Sequence, residues 1–397
     1  MSKHKRIVFL YYLFQFFFSL LLWLPVFYEY QKRIGLTDSQ IFSIQSIYYL
    51  AFCLLEIPTG MLADLLGRLA CLRGGSLVLV IANLLPVLLP TYDGMLIHFC
   101  LIALSRSLIS GASSAYLYDY LVREGQVGLY KEIEGTARTY SLIGKVIGWA
   151  FIGSLMNWHL GLPYWLTSLA ALIAVFAAWS LPVFKELPTV KERISPIHSF
   201  SQVVFILIRS PGLLLIMLQG VAIFVLSRIC QVNLFQPILS AKSFGLPSMG
   251  LVMSLMTLFE AAGSYRPGWV QRWVSDLNAV FILTWLMALS LLLIPWSGAF
   301  ATLGCLAVFS YAAGLSFPVQ RQLLNDAVLD SRFRATLLSV ESIMDRAVCA
   351  WVASLIGASL SRGGLDQFLV NSALATLLGM GGLVVLLYWI RVRKGSV

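Results

Sequence analysis

Eight charged side chains stand inside long apolar stretches of this sequence: Glu56, Arg106, Lys145, Arg228, Glu260, Glu341, Asp345 and Arg346. The densest group is "SVESIMDRAV" (339–348). On a helix Glu341 and Asp345, four residues apart, share a face, and Arg346 is turned about 100° from its neighbour. Two carboxylates that close repel when both are ionised, so one of them can take up and release a proton. Glu341 and Asp345 are therefore candidates for proton coupling, with Glu56 a third. The other reading is an ion pair with Arg346 or Lys145, and residue types alone do not separate the two. Arg106, Arg228, Gln231, Glu260, Arg346 and Lys145 are the candidate substrate cavity, since an apolar span tolerates a charge only where it faces water, a ligand or a partner. Arg106 is either an anion contact or the partner of an acid on the second span. Gln231, Asn233 and Gln236 follow Arg228, and Pro237 can break that helix. The mix of signs admits cations, anions or zwitterions.

The elements that must hold these side chains are set by composition. Of 397 residues 59% are apolar and 12% charged, against about 25% charged in a soluble domain. Such a chain has too little polar surface to face water all round, so it faces lipid. Splitting it at polar, Pro and Gly breaks predicts twelve spans, at 7–28, 41–62, 74–90, 95–121, 139–158, 160–182, 211–235, 249–270, 277–295, 299–322, 335–360 and 366–390, each near the ~20 residues a bilayer core requires. The first follows basic residues as a signal peptide would, but its length and the lack of a small-residue cleavage site predict a retained span. The six cysteines and four histidines are dispersed, without metal-ligand or disulfide spacing, so no metal or other cofactor is expected. No nucleophile–base pair stands out, which predicts a protein that is not an enzyme. No G-x-x-x-x-G-K-[ST] loop occurs, which argues against a nucleotide-driven pump.

The polar stretch between spans six and seven predicts two six-helix bundles, 1–182 and 211–397, joined by a linker at 183–210. Twenty of the 28 lysines and arginines fall on the side of the two termini and this linker, and four, Lys32, Arg33, Lys242 and Arg362, on the other. That bias predicts cytoplasmic termini and a multi-pass protein of the inner (plasma) membrane. It also accounts for the net charge of +10 through topology and lipid headgroups, so nucleic acid is not an expected partner. The halves echo each other. "RIGLTDSQIFSIQS" (33–46) answers to "SFGLPSMGLVMSLM" (243–256), Glu56 to Glu260, Asp119 to Asp326, and Lys145 to Arg346, at offsets of 201 to 210 residues. Duplicated halves with a site at their interface are the construction of many secondary transporters.

"EIPTGMLADLLGR" (56–68) ends span two. Glycines in its last turn would let a neighbouring helix approach closely. Asp64 can accept bonds from the N-terminal amides of a facing helix, and Arg68 can bridge to an acid. Glu56, two turns or ~12 Å from Asp64, belongs either to this group or to the cavity. Asp119, at the end of span four, either completes a gate with Arg68 or Arg138 or is a solvated helix end. The small residues before it, Gly111 to Ala115, suit close helix contact.

Gly60, Leu62, Asp64, Gly67 and Arg68 resemble the G-x-L-x-D-x-x-G-R-[KR] loop of the major facilitator superfamily, with Leu69 at the second basic position and Arg73 further on. The resemblance implies an all-α membrane fold of two pseudo-symmetric six-helix bundles, and a cytoplasmic gate of Gly60, Asp64, Gly67, Arg68 and Asp119 in which span eleven is the partner of Asp64. "YRPGWVQRWVSD" (265–276) is a partial second copy, with Gly268 and Arg272 but no matching acid. "GKVIGWAFIG", with Gly144, Gly148 and Gly153, is similar to the glycine-rich motif of proton-coupled antiporters in this superfamily, with Trp149 where proline is usual. The expectation is a monomeric secondary transporter exporting a small organic solute, a drug or metabolite, with protons as coupling ion. Proton-coupled metabolite uptake is the alternative. The aromatics of span one either face lipid or line an apolar pocket.

Overall fold

The computed structural model describes residues 3–184, 210–265, 268, 272–327 and 334–395. The predicted linker from 185 to 209 and residues 266, 267 and 269–271 of the second motif copy lie outside the described residues. Among the described residues twelve helical spans are long and apolar enough to cross a bilayer: α1 (His4–Arg33), α2 (Asp38–Ala63), α3 (Arg68–Leu88), α4 (Tyr92–Arg123), α5 (Val127–Trp158), α6 (Leu162–Ser180), α7 (Pro211–Ala241), α8 (Leu246–Tyr265), α9 (Asp276–Trp296), α10 (Ala299–Leu324), α11 (Ser339–Leu360) and α12 (Leu365–Leu387). The predicted number holds, and the ends shift by up to twelve residues, because polar helix starts such as Tyr130–Thr139 carry little apolar signal. Local chemistry sets several starts. Thr37 and Gln40 form a reciprocal capping box before α2, and the Thr91 hydroxyl accepts from the Gly94 amide before α4.

Among the described residues three spans are interrupted. In α1 the helix stops at Ser19 and resumes through a 3-10 turn at Leu24–Val26. In α4 it stops at Ile109 and restarts at Ala112, with Gly111 at φ +76°. The small-residue patch read as a helix-contact surface thus begins with a break that only glycine accommodates easily. In α7 a π-helical turn, Ile229–Leu234, precedes Pro237. Proline lacks the amide that would continue the ladder, and a widened turn absorbs the mismatch.

The chain divides into two compact units, Met1–Lys191 with Gly245–Ser254, and Glu192–Phe244 with Leu255–Val397. In the first, α3 packs on α4 and α6, α1 on α5 and α6, and α2 on α4. In the second, α9 packs on α10 and α12, and α7 on α11 and α12. Adding six to the helix numbers of the α3–α4, α3–α6, α1–α5 and α1–α6 pairs gives these four pairs, and α7 packs on α10 as well. One seam repeats at the residue level. The Thr59 and Ser107 hydroxyls meet at 2.7 Å between α2 and α4. At the equivalent places in the second unit stand Gly263 and Gly314, where an added Cβ would strike the Tyr311 or Glu260 carbonyl oxygen. In the first unit Gly153 and Gly250 are as tightly set, a Cβ at either meeting the backbone of Leu246 or Trp149. Gly144 and Gly148, one turn apart on another face of α5, leave room for Phe16 and Leu22 of α1.

Candidate functional site

In the first unit one end of the bundle is organised by the turn between α2 and α3. Gly67 takes φ +91°, ψ +150°, a region essentially reserved for glycine, and so makes Arg68 the first residue of α3. From there the Arg68 guanidinium donates to the Ala115 carbonyl at 3.0 Å and forms an ion pair with Asp119. Asp119 is buried, whereas Arg138, its other predicted partner, is exposed. Arg73, one turn along α3, donates to the carbonyls of Ala178, Trp179 and Leu181 at 3.3–3.4 Å, and so ties the start of α3 to the end of α6. His4 meets the Tyr120 hydroxyl at 3.2 Å. The start of α1, the α2–α3 turn and the ends of α4 and α6 therefore share one face of this unit.

The two motif glycines differ from the expectation. Among the described residues a Cβ at Gly60 would meet nothing within 4 Å, so Gly60 admits no close helix there. The requirement for glycine at Gly67 is conformational. Asp64 directly follows the α2 span, in the helix that runs on to Leu66, but its side chain, and with it the implied bond to span eleven, lies outside the described residues. Glu56 is half-buried two turns earlier, beside Thr59, whose hydroxyl bonds the Leu55 carbonyl at 2.7 Å.

Higher in the first unit, Arg106 of α4 and Lys145 of α5 line one cavity of about 70 Å³ with Phe18, Ser19, Leu21, Leu24 and Leu79. Two of the six candidate cavity residues are thereby brought together. The other four belong to the second unit. There Arg228 of α7 pairs with Asp345 of α11 at 2.8 Å, and the Gln231 amide donates to Glu260 of α8 at 3.3 Å. Arg346 is half-buried on α11.

The acidic pair of α11 is buried almost completely, Glu341 at 1% and Asp345 at 3% exposure. The arginines that hold the two acids come from elsewhere than the sequence reading placed them. Glu341 pairs with Arg321 of α10 at 2.9 Å, and Asp345 with Arg228 of α7 at 2.8 Å. The spacing put both acids on one face correctly, but which cation faces that face depends on helix packing. The Arg321 guanidinium also lies over the rings of Phe224 and Phe317, at 5.1 and 5.5 Å. Gly220 of α7 makes space for the pair, since a Cβ there would press on Gln320 and on Glu341 Oε1. The neighbouring Gln219 is fully buried with both amide atoms lacking a hydrogen-bond partner among the described residues. In the second unit α7, α10 and α11 thus enclose two carboxylates, two guanidiniums and two primary amides in an otherwise apolar bundle.

The sequence model of the Major Facilitator Superfamily matches residues 7–344, most of the chain. The chain belongs to the major facilitator superfamily. Among solved structures it resembles a point mutant of the nucleoside transporter NupG, with TM-score 0.81 and 13% identity over 96% of this chain and 99% of that one. A POT family transporter in complex with a thioalcohol-conjugated peptide gives TM-score 0.76 and 12% identity over 98% and 96%. At such identities these likenesses speak for the fold alone. No curated protein sequence matches the chain. It is a multi-pass membrane transporter of the superfamily's all-helical type.

Sequence reasoning missed several residues of this superfamily member. Arg321 ends the predicted span 299–322 and by position reads as one of the basic residues on the side of the termini. Glu134 precedes the predicted span 139–158, yet α5 begins before it, at Val127. Its carboxylate accepts from the Tyr11 hydroxyl at 2.6 Å and from Ser114 at 3.0 Å, and Gln15 extends the network to Ser113 at 3.3 Å. The available signal was Tyr11 and Gln15, two polar groups one turn apart on an apolar helix.

Proposed function

We propose that this protein is a secondary active transporter that exports a small organic solute by alternating access, driven by protons. The observation that carries the reading is the pairing of Glu341 with Arg321 and of Asp345 with Arg228. A buried carboxylate held by a guanidinium from a neighbouring helix is a two-state latch. Ionised, it binds α11 to α10 or α7; protonated, it loses the Coulomb attraction that offsets the burial of both groups. Arg321 then keeps its contact with the Phe224 and Phe317 rings, so it is not stranded in an apolar site. Proton binding thereby frees α11, and the movement of that helix is linked to the proton by the same free energy. The Arg68–Asp119 pair is assigned to a gate at the end of the first unit where α1 begins, on the cytoplasmic side. The protein is placed in the inner (plasma) membrane as a monomer, with cytoplasmic termini. The close glycine-lined face of α5 supports export over uptake, since it carries the segment similar to antiporter sequences.

The test is growth inhibition across a broad compound panel in a host stripped of its own efflux pumps, comparing the wild type, Asp64→Asn and Glu341→Gln at matched expression. Resistance to some compounds that both substitutions remove is expected. If the wild type protects against nothing, drug export is wrong. Metabolite uptake by proton symport is then examined in proteoliposomes under an imposed pH gradient. In that preparation substrate added to the wild type moves protons, whereas Glu341→Gln, fixed in the neutral form, exchanges substrate without moving them.

A further inference from the structure

The cavity of the first unit has a one-sided chemistry. Its polar lining is Arg106, Lys145 and the Ser19 hydroxyl, and its apolar lining is Phe18, Leu21, Leu24 and Leu79, with no carboxylate among them. Arg106 is exposed although it lies in the body of α4, and among the described residues no ion pair holds its guanidinium. A guanidinium inside a membrane span is costly unless it faces water or a ligand. Its planar fork of donors matches a carboxylate, to which the Lys145 ammonium adds a second positive charge.

The backbone around the cavity is also of an unusual kind. Ser19, Leu21 and Leu24 belong to the interruption of α1, where the Leu22 amide turns to the Thr167 hydroxyl at 3.0 Å and the Trp149 indole donates to the Leu21 carbonyl at 2.9 Å. Non-helical backbone at membrane depth persists only where protein buries it or a cavity borders it. The two indole and hydroxyl bonds fix this stretch, so the apolar wall is rigid and preformed, as ligand pockets usually are.

From this geometry we infer that the cavity is the subsite for the head of an anionic solute: a small organic carboxylate seated between Arg106 and Lys145, with its apolar body on Phe18, Leu21, Leu24 and Leu79. The inference rests on the transporter reading and narrows it to one substrate class. A cationic drug, the usual alternative for an exporter, would be repelled by both head-group contacts.

The experiment is equilibrium binding to the purified full-length protein in mild detergent, read as the shift in thermal unfolding midpoint. Benzoate is the probe, benzamide its neutral isostere, and acetate the same head without the apolar body. Benzoate is expected to stabilise saturably, with benzamide and acetate at least tenfold weaker. Arg106→Gln and Lys145→Gln each weaken benzoate at least tenfold, and Arg106→Lys, which keeps the charge and loses the fork, weakens it less than Arg106→Gln. The unliganded midpoint of each variant identifies any that misfolds, and the benzoate-to-benzamide ratio of the wild type needs no variant. Equal stabilisation by benzoate and benzamide, no shift with benzoate, or undiminished benzoate binding by Arg106→Gln each overturns the assignment. No ion gradient enters this measurement, so it succeeds or fails separately from the proton-coupling experiment on Glu341.

Discussion

Asp345 and Arg228 show how a charge becomes tolerable inside a membrane helix. Neither side chain is an acceptable occupant of an apolar span alone, yet at 2.8 Å each is the other's solvent. Removing one partner leaves the other buried and uncompensated, which costs about 3–5 kcal/mol for a fully buried pair. Arg228 retains 34% exposure, so the lower end applies. Asp345→Asn is expected to destabilise by about 3 kcal/mol, and Asp345→Asn with Arg228→Gln by clearly less than the sum of the single changes. A double-mutant cycle on unfolding in detergent checks this, and strictly additive losses would show that the pair is incidental. The Cys349 thiol, 3.5 Å from the same carboxylate, is a weak donor, and Cys349→Ala is expected to change stability by little more than its lost packing.

At the scale of the element, glycine positions separate into those that need its conformation, those that need its size and those that need neither. Gly67→Ala forces a side chain into a backbone region that ordinary residues avoid and is expected to cost about 1–3 kcal/mol. Gly60→Ala, in the same motif, meets nothing within 4 Å and should stay within about 0.5 kcal/mol of the wild type. Gly314→Ala drives a methyl into the backbone of Glu260, which must displace α8 from α10 and lower the unfolding midpoint well beyond that of Gly304→Ala, whose surroundings are open. Measuring the four midpoints side by side decides the matter. A Gly60→Ala loss as large as that of Gly67→Ala would mean that the motif is held by close packing after all. The break in α4 follows the same logic, since Gly111 takes φ +76° there, whereas the widened turn of α7 precedes Pro237.

For the whole molecule the repeated pattern of helix packing is the main fact. Two units that share four helix pairings, six helices apart, supply two similar bodies, yet their chemistry has diverged. The first keeps the Arg68–Asp119 pair and the cation-lined cavity, the second the two buried arginine–carboxylate pairs. Asp326, the repeat partner of Asp119, is exposed, so the ion pair at the first unit's end has no equivalent in burial. The charge bias sets an orientation that can be measured directly: reporters fused at Val397 and within 183–210 are expected to report the cytoplasm, and one inserted near Arg362 the opposite side. A reporter at Val397 active only outside would reverse the placement of the proposed gate.

The sequence by itself determined the number of spans, the helical class and the superfamily, because membrane burial writes itself into composition: about twenty apolar residues per crossing and a loop motif whose residues are neighbours in the chain. It also determined that Glu341 and Asp345 share a face, since four residues make about one helical turn. Only the tertiary structure decided what that face meets. Arg321 and Arg228 reach it from helices distant in the chain, and no spacing rule connects residue 228 to residue 345. Likewise Arg106 and Lys145 are 39 residues apart in sequence and share a cavity because α1 is interrupted beside them. The roles of Gly60 and Gly67 diverged for the same reason: two identical letters in one motif differ by backbone angle and neighbours, which the fold sets and the motif does not record.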